Sequence, residues 1–284
     1  MKWKDGRRSD NVEDQRGFGV RQGAIGGGIG ILAILVIGLL TGADPSTLIS
    51  MIAGQSSSSV DNTPVVLTAA QNESADFVSV VLADTEDTWT TIFTEKGMVY
   101  TKPKLVMFTG QVDSACGSAE SAMGPFYCPN DQKVYIDLSF YQELKDQLGA
   151  PGDFAQAYVI AHEVGHHVQN LLGTSAKVQT LESQSNEVTA NKYSVMLELQ
   201  ADCYAGVWAN RTEASQHFLE PGDIEEAINA AQKIGDDALE KQTQGYVVPD
   251  SFTHGTSAQR MKWLNAGMVS GDMNSCDTFN ATVL

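Results

Sequence analysis

The feature that most constrains the fold of this chain is the run His162-Glu163-Val164-Gly165-His166-His167. Residues four positions apart lie on one face of an α-helix, so His162 and His166 can point at one ion while Glu163 reaches a water on it. The surrounding sequence is apolar and predicts a buried helix that begins at Asp153. A buried histidine pair needs polar partners, and a metal ion is the most economical one. A surface helix with incidental histidines is the alternative.

A second pair of candidate residues lies on a predicted helix over residues 186–209. Glu198 and Asp202 share one face of that helix and have apolar neighbours. A catalytic zinc site uses three protein ligands and keeps one position open for water, so Glu198 is predicted to complete the set. Asp202 is predicted to accept a histidine N–H, as carboxylates behind zinc ligands do. A solvated acidic face is the alternative.

The remaining candidates follow from the chemistry that such a site would perform. Glu163 is predicted to act as general base towards a zinc-activated water. His254 is the candidate for stabilising a developing oxyanion, with a structural role as the alternative. Tyr127 and Tyr135 could face the pocket on a hairpin, or they could pack in the core. Arg260 is expected to pair with a carboxylate, and His167 is not expected to bind the metal.

The order of the predicted helices and strands indicates an α+β fold, in which a small sheet is followed by a mainly helical body. Residues 76–96 read as a helix, and residues 105–108 as a short apolar strand. Residues 126–138 predict a β-hairpin, and the chain after Phe140 is mostly helical.

Charge is distributed unevenly along the 284 residues, with a net of +2 over the first 21 and −19 over the rest. Nucleic-acid binding needs clustered lysine and arginine, so the acidic part argues against a nucleic-acid partner. The acidity indicates solubility or an acidic recognition patch.

Residues 22–43 carry no charged side chain and would span roughly 33 Å as a helix, enough to cross a bilayer core. The cationic flank predicts a cytoplasmic tail (1–21), one transmembrane anchor (22–43), a flexible linker (44–63) and an exported domain (64–284). The expected location is therefore the cell membrane, with the domain periplasmic or extracellular. A cleaved signal peptide and a buried core helix are the alternatives.

The four cysteines all follow this apolar stretch. Export to an oxidising compartment would allow two disulfides, and the pairing Cys116–Cys128 with Cys203–Cys276 is favoured because the first pair brackets a short loop. Free buried thiols are the alternative.

These residues resemble the gluzincin metallopeptidases, and nearly the whole chain is similar to the neutral zinc metallopeptidase family of bacteria. The resemblance rests on the following motifs: Met1-Lys2-Trp3-Lys4, Gly124-Pro125-Phe126-Tyr127-Cys128-Pro129, His162-Glu163-Val164-Gly165-His166-His167-Val168-Gln169, Glu198-Leu199-Gln200-Ala201-Asp202-Cys203-Tyr204-Ala205-Gly206 and Thr253-His254-Gly255-Thr256-Ser257-Ala258-Gln259-Arg260. It implies a zincin-like domain holding one zinc on His162, His166 and Glu198, with Glu163 as base. Related membrane-bound gluzincins have proline at the position of Gly255.

The function that we expect from the sequence is hydrolysis of peptide or protein substrates outside the cytoplasm by a membrane-anchored zinc endopeptidase. Two alternatives remain, a zinc hydrolase of cell-wall amides and a non-catalytic scaffold or regulator. The intact Glu163 argues against the scaffold, because loss of the base is the simplest way to inactivate such an enzyme.

Overall fold

The computed structural model describes residues 1–16 and 67–284. Within that part of the chain, Met1–Gln15 and Leu67–Leu284 form one compact α+β unit. Its helices are α1 (Ala69–Glu95), α2 (Phe140–Asp146), α3 (Asp153–Leu171), α4 (Thr174–Ser183), α5 (Glu187–Gln216), α6 (Asp223–Lys233), α7 (Asp236–Gln244) and α8 (Ser257–Ser270). Its strands are β1 (Val12–Asp14), β2 (Lys104–Phe108), β3 (Gln111–Ser114), β4 (Gly117–Glu120), β5 (Phe126–Cys128) and β6 (Lys133–Asp137).

The main sheet has the strand order β1-β2-β6-β5. β2 is parallel to β1 and β6, whereas β5 and β6 form the predicted antiparallel hairpin. Successive side chains of a strand point to opposite faces, so Leu105 and Met107 join the main core while Val106 and Phe108 join a smaller cluster. β5 is an edge strand, with a strand neighbour on one side only among the described residues.

A second, two-stranded sheet of β3 and β4 covers the smaller cluster. Val112 of β3 and Ala119 of β4 pack there against the β2 side chains. The disulfide Cys116–Cys128 joins the turn of this hairpin to edge strand β5. The hairpin and the edge strand are therefore held together covalently.

Helix α3 carries the histidine motif and starts in an unusual way. Its first residue is Asp153, as the sequence predicts, and the cap residue is Gly152, with φ +121°. The first N–H groups of a helix lack internal partners, and Glu226 of α6 accepts the one from Phe154 at 3.1 Å. A Cβ on Gly152 would lie 2.1 Å from the Glu226 carboxylate, so glycine is needed there.

Two glycine contacts bring the helices of the body close together. A Cβ on Gly165 of α3 would lie 3.0 Å from the carbonyl oxygen of Ala201 on α5. Between α5 and α8, a Cβ on Gly206 would lie 2.2 Å from the carbonyl oxygen of Leu264. The first contact places the histidine motif opposite Glu198 and Asp202.

The second disulfide, Cys203–Cys276, ties α5 to the C-terminal segment. Both disulfides follow the pairing that the sequence favours.

The first residues of the chain are an integral part of this unit. β1 extends the main sheet, and Arg7, Ser9 and Asn11 all donate hydrogen bonds to the buried carboxylate of Glu86 on α1. The α-amine of Met1 lies 2.8 Å from Asp153 Oδ1, at the start of α3. The sequence assigns this segment to a separate tail (1–21), whereas it packs with the residues that follow position 66.

The fold class predicted from the sequence requires a correction. A mainly helical α+β body with a small sheet is present, but the prediction that one transmembrane helix precedes it is wrong for the chain as described. No helix within residues 1–16 and 67–284 is long and apolar enough to cross a membrane. The residues predicted to do so, 22–43, lie outside the described ones.

Candidate active site

His162, His166 and Glu198 converge where α3 crosses α5. One ligand atom from each lies within 4.8 Å of the other two. His162 Nε2 is 3.1 Å from Glu198 Oε2, and His166 Nε2 is 3.3 Å from Glu198 Oε1. Donor atoms about 2.0–2.1 Å from a tetrahedral zinc lie roughly 3.3 Å from one another, so this set fits the ion.

Each histidine has its other ring nitrogen fixed by a buried side chain. His162 Nδ1 lies 2.8 Å from Asp202 Oδ1. His166 Nδ1 lies 2.9 Å from the amide oxygen of Gln169. In both rings Nδ1 therefore donates, and Nε2 is free to bind a metal.

Asp202 is fully buried at the centre of a polar network. Arg260 donates to both of its oxygens at 2.9 Å, and the Tyr158 hydroxyl donates to Oδ1 at 2.6 Å. The pairing of Arg260 with a carboxylate, expected from the sequence, thus involves the partner of His162.

The charges in the metal-free site are strongly coupled. Burial opposes a charge on His162, but Asp202 and Glu198 outweigh it and raise the pKa of His162 to about 10. Burial would also raise the pKa of Asp202, but Arg260 and His162 lower it to about 2. A cation is therefore favoured between these carboxylates, and a metal ion would replace the histidine protons.

Glu163 is buried beside the histidines and is not part of the three-residue ligand cluster. Burial raises the pKa of its carboxyl group, against the opposing charges of His162 and His166. Its side chain lines the same cleft as the three ligands.

The cleft has a volume of about 780 Å³. The candidate ligands and Glu163 line it together with further residues of α3, α4, α8, β5 and the loop before α8. These further lining residues include Phe126, Tyr127, Asn170, Ser175, Gln179, Glu182, His254 and Arg260.

The family model described as "Putative neutral zinc metallopeptidase" matches residues 1–279. The chain belongs to this family. The resemblance found in the sequence motifs is thus confirmed.

Two relatives show how far the similarity extends. The chain is 50% identical over 289 residues to "Uncharacterized protein YpfJ" of Escherichia coli K12, covering all of both chains. It is 47% identical over 195 residues to "Uncharacterized protein Rv2575" of Mycobacterium tuberculosis, covering 65% of each. No solved structure matches the chain.

His254 reaches the cleft from the loop before α8. Its Nδ1 lies 3.2 Å from Asp236 Oδ1, and its backbone N–H donates to Asp236 Oδ2 at 2.7 Å. The hydrogen bond to Asp236 raises the pKa of His254, against the effect of burial. Asp236 thus orients the ring, so that Nε2 is the nitrogen left to meet a ligand.

The two candidate tyrosines have different places. Tyr127 lines the cleft, whereas Tyr135 packs in the smaller cluster and donates to Asp131 at 2.7 Å. His217 is exposed at the end of α5.

The sequence interpretation missed Gln169 and Asp236. Gln169 lies seven residues after His162 and three after His166, on the buried face of the same helix, and that spacing was a usable signal. Asp236 and His254 are 18 residues apart and are brought together only by the fold.

Proposed function

We propose that this zinc metallopeptidase is an active endopeptidase that hydrolyses peptide bonds with one zinc per chain. The observation that carries the proposal is the convergence of His162, His166 and Glu198 within 4.8 Å, beside the buried carboxylate of Glu163. Family membership supports zinc and peptidase chemistry in the coarser sense.

The three zinc ligands and Glu163 have separate roles in this proposal. Bound zinc would supply Lewis acidity, which polarises a carbonyl and makes water more acidic. The Glu163 carboxylate takes a proton from the water that attacks the peptide carbonyl carbon. It then gives that proton to the amide nitrogen as the C–N bond breaks, so the proton count balances.

The substrate is proposed to be an extended peptide. Edge strand β5 borders the cleft, and the side of it away from β6 has no strand partner among the described residues. A peptide can add to such an edge through backbone hydrogen bonds. The roughly 780 Å³ cleft is large enough for several side chains on either side of the reacting bond.

His254 is proposed to donate from Nε2 to the oxyanion that develops on the attacked carbonyl. Its support is the position of His254 at the border of the cleft, where Asp236 contacts both the ring Nδ1 and the backbone N–H.

The compartment is proposed to be oxidising, and therefore outside the cytoplasm. Two disulfides account for all four cysteines, and such bonds persist in exported proteins. Thiol labelling after acid quenching of host cells should find no free cysteine in this protein.

The test compares Glu163→Gln with Glu225→Gln in the purified full chain. Glu225 is exposed on α6 and receives the same chemical change away from the cleft. Cleavage of an unfolded protein should be sensitive to chelator and should fall by about 10²–10⁴-fold in Glu163→Gln only. Zinc content should stay at one per chain in both variants.

Equal activity of Glu163→Gln and the parent would overturn the role of this residue. Zinc binding without cleavage of any unfolded protein by the parent would overturn the peptidase proposal itself.

A further inference from the structure

His167 follows the second predicted ligand but has a different environment. Its side chain is completely buried, and both of its ring nitrogens have partners. Nε2 lies 2.6 Å from the carbonyl oxygen of Thr101, which can only accept, so Nε2 carries the hydrogen. Nδ1 is therefore an acceptor, and it lies 3.0 Å from the hydroxyl of Tyr127.

These contacts form a series of hydrogen bonds that all run in one direction. Asn170 Nδ2 donates to the Tyr127 hydroxyl at 3.0 Å, the hydroxyl donates to His167, and His167 donates to Thr101. Each donor in this series of hydrogen bonds has one acceptor. The single hydroxyl proton of Tyr127 is thus used within the protein, which removes this tyrosine as an oxyanion donor.

This series of hydrogen bonds connects three separate segments of the protein. His167 and Asn170 belong to α3, Tyr127 belongs to edge strand β5, and Thr101 lies in the connection between α1 and β2. Since Tyr127 also lines the cleft, its position sets the distance between the wall of the cleft and the helix that carries the ligands.

We propose that His167 is a positioning residue that fixes edge strand β5 through Tyr127, and thereby sets the binding of extended peptides. The proposal deepens the proposed function and rests on it for its kinetic part. The structural part, the fixing of β5, does not depend on catalysis.

The structural experiment is hydrogen exchange over residues 124–130 in the full-length protein. Tyr127→Phe and His167→Phe should both increase exchange there, because each breaks the chain of hydrogen bonds. His167→Gln should restore slow exchange, since an amide can donate to Thr101 and accept from Tyr127. Tyr246→Phe, the same change at an exposed tyrosine, is the control.

The kinetic experiment separates KM from kcat on peptides of increasing length. Loss of one buried hydrogen bond, about 1 kcal/mol, should raise KM about 5-fold in Tyr127→Phe, with kcat within about 2-fold of the parent. The effect should grow as the peptide extends along β5, and His167→Gln should be closer to the parent than His167→Phe. Zinc content should stay at one per chain.

Unchanged exchange over residues 124–130 in Tyr127→Phe would overturn the proposal, whether or not the parent cleaves peptides. A fall in kcat at constant KM would also overturn it, and so would loss of zinc from His167→Phe that His167→Gln does not restore. If His167→Phe fails to fold, Tyr127→Phe still decides, because it removes only one oxygen atom.

Discussion

Gln169 accepts a hydrogen bond from His166, three residues earlier on α3, with Nδ1 2.9 Å from Oε1. The amide of Gln169 is itself fixed, since its Nε2 donates to the carbonyl oxygen of Leu197 at 2.7 Å. The two predicted histidine ligands therefore have unlike partners, a neutral amide for His166 and the carboxylate of Asp202 for His162.

We expect Gln169→Met and Asp202→Asn each to weaken zinc binding by about 10–100-fold, because both change the group that orients a ligand. The measurement is competition with a chelator of known affinity. Gln232→Met, the same change at an exposed position of α6, is the control. Parent-like affinity in Gln169→Met would show that its hydrogen bond does not orient His166.

His254→Phe should lower kcat by about 10²–10³-fold with zinc content unchanged, because a phenyl ring has no group that can donate to the oxyanion. Asp236→Asn should lower kcat less, since it loosens the His254 ring without removing it. His217→Phe, the same change at an exposed histidine, serves as the control. A rise in KM alone would contradict the oxyanion role.

Arg260→Met should destabilise the metal-free protein by about 3–5 kcal/mol, because it leaves the buried charge of Asp202 without its main partner. Lys4→Met removes an exposed ion pair with Glu73 and should cost less than about 1 kcal/mol. Denaturant unfolding measures the free energy of unfolding of both variants. Equal losses of stability would contradict this prediction.

A fragment of residues 67–284 should have a lower Tm than the full chain. It lacks β1 and three of the groups that donate to the buried Glu86, a loss of at least about 3 kcal/mol. A peptide of residues 1–16 added in trans should raise that Tm. The same peptide with Ser9 and Asn11 replaced by alanine should raise it less, and equal effects would argue against the Glu86 contacts.

The buried carboxyl group of Asp84 on α1 should make the stability of the protein depend on pH. Burial raises the pKa of its carboxyl group from 3.8 to about 6. The folded state therefore binds the proton more tightly, so the stability that Asp84 contributes is complete below about pH 4 and is lost as pH rises through about 6.

Asp84→Asn should consequently be more stable than the parent at pH 8, by at most about 3 kcal/mol, and equal to it near pH 4. Asp250→Asn, the same change at an exposed position, is the control. Thermal unfolding at both pH values measures the difference, and a gain that is the same at both would contradict the assignment to Asp84.

Much of the site could be predicted from sequence because helical spacing carries it. Residues four apart on α3 and α5 must share a face whatever the rest of the chain does, so His162, His166, Glu198 and Asp202 could be grouped in advance. Gln169 obeys the same rule and could have been included.

Local spacing was enough to predict the pattern of α3 and α5, the hairpin of β5 and β6, and the favoured disulfide pairing. Three contacts depend instead on the folded chain: Asp236 orients His254, His167 binds Tyr127, and the first residues join the main sheet through β1. These contacts join residues from 18 to about 90 positions apart, and no local periodicity encodes them. They exist because buried polar groups such as the carboxylate of Glu86 require partners, which the fold brings from distant parts of the chain.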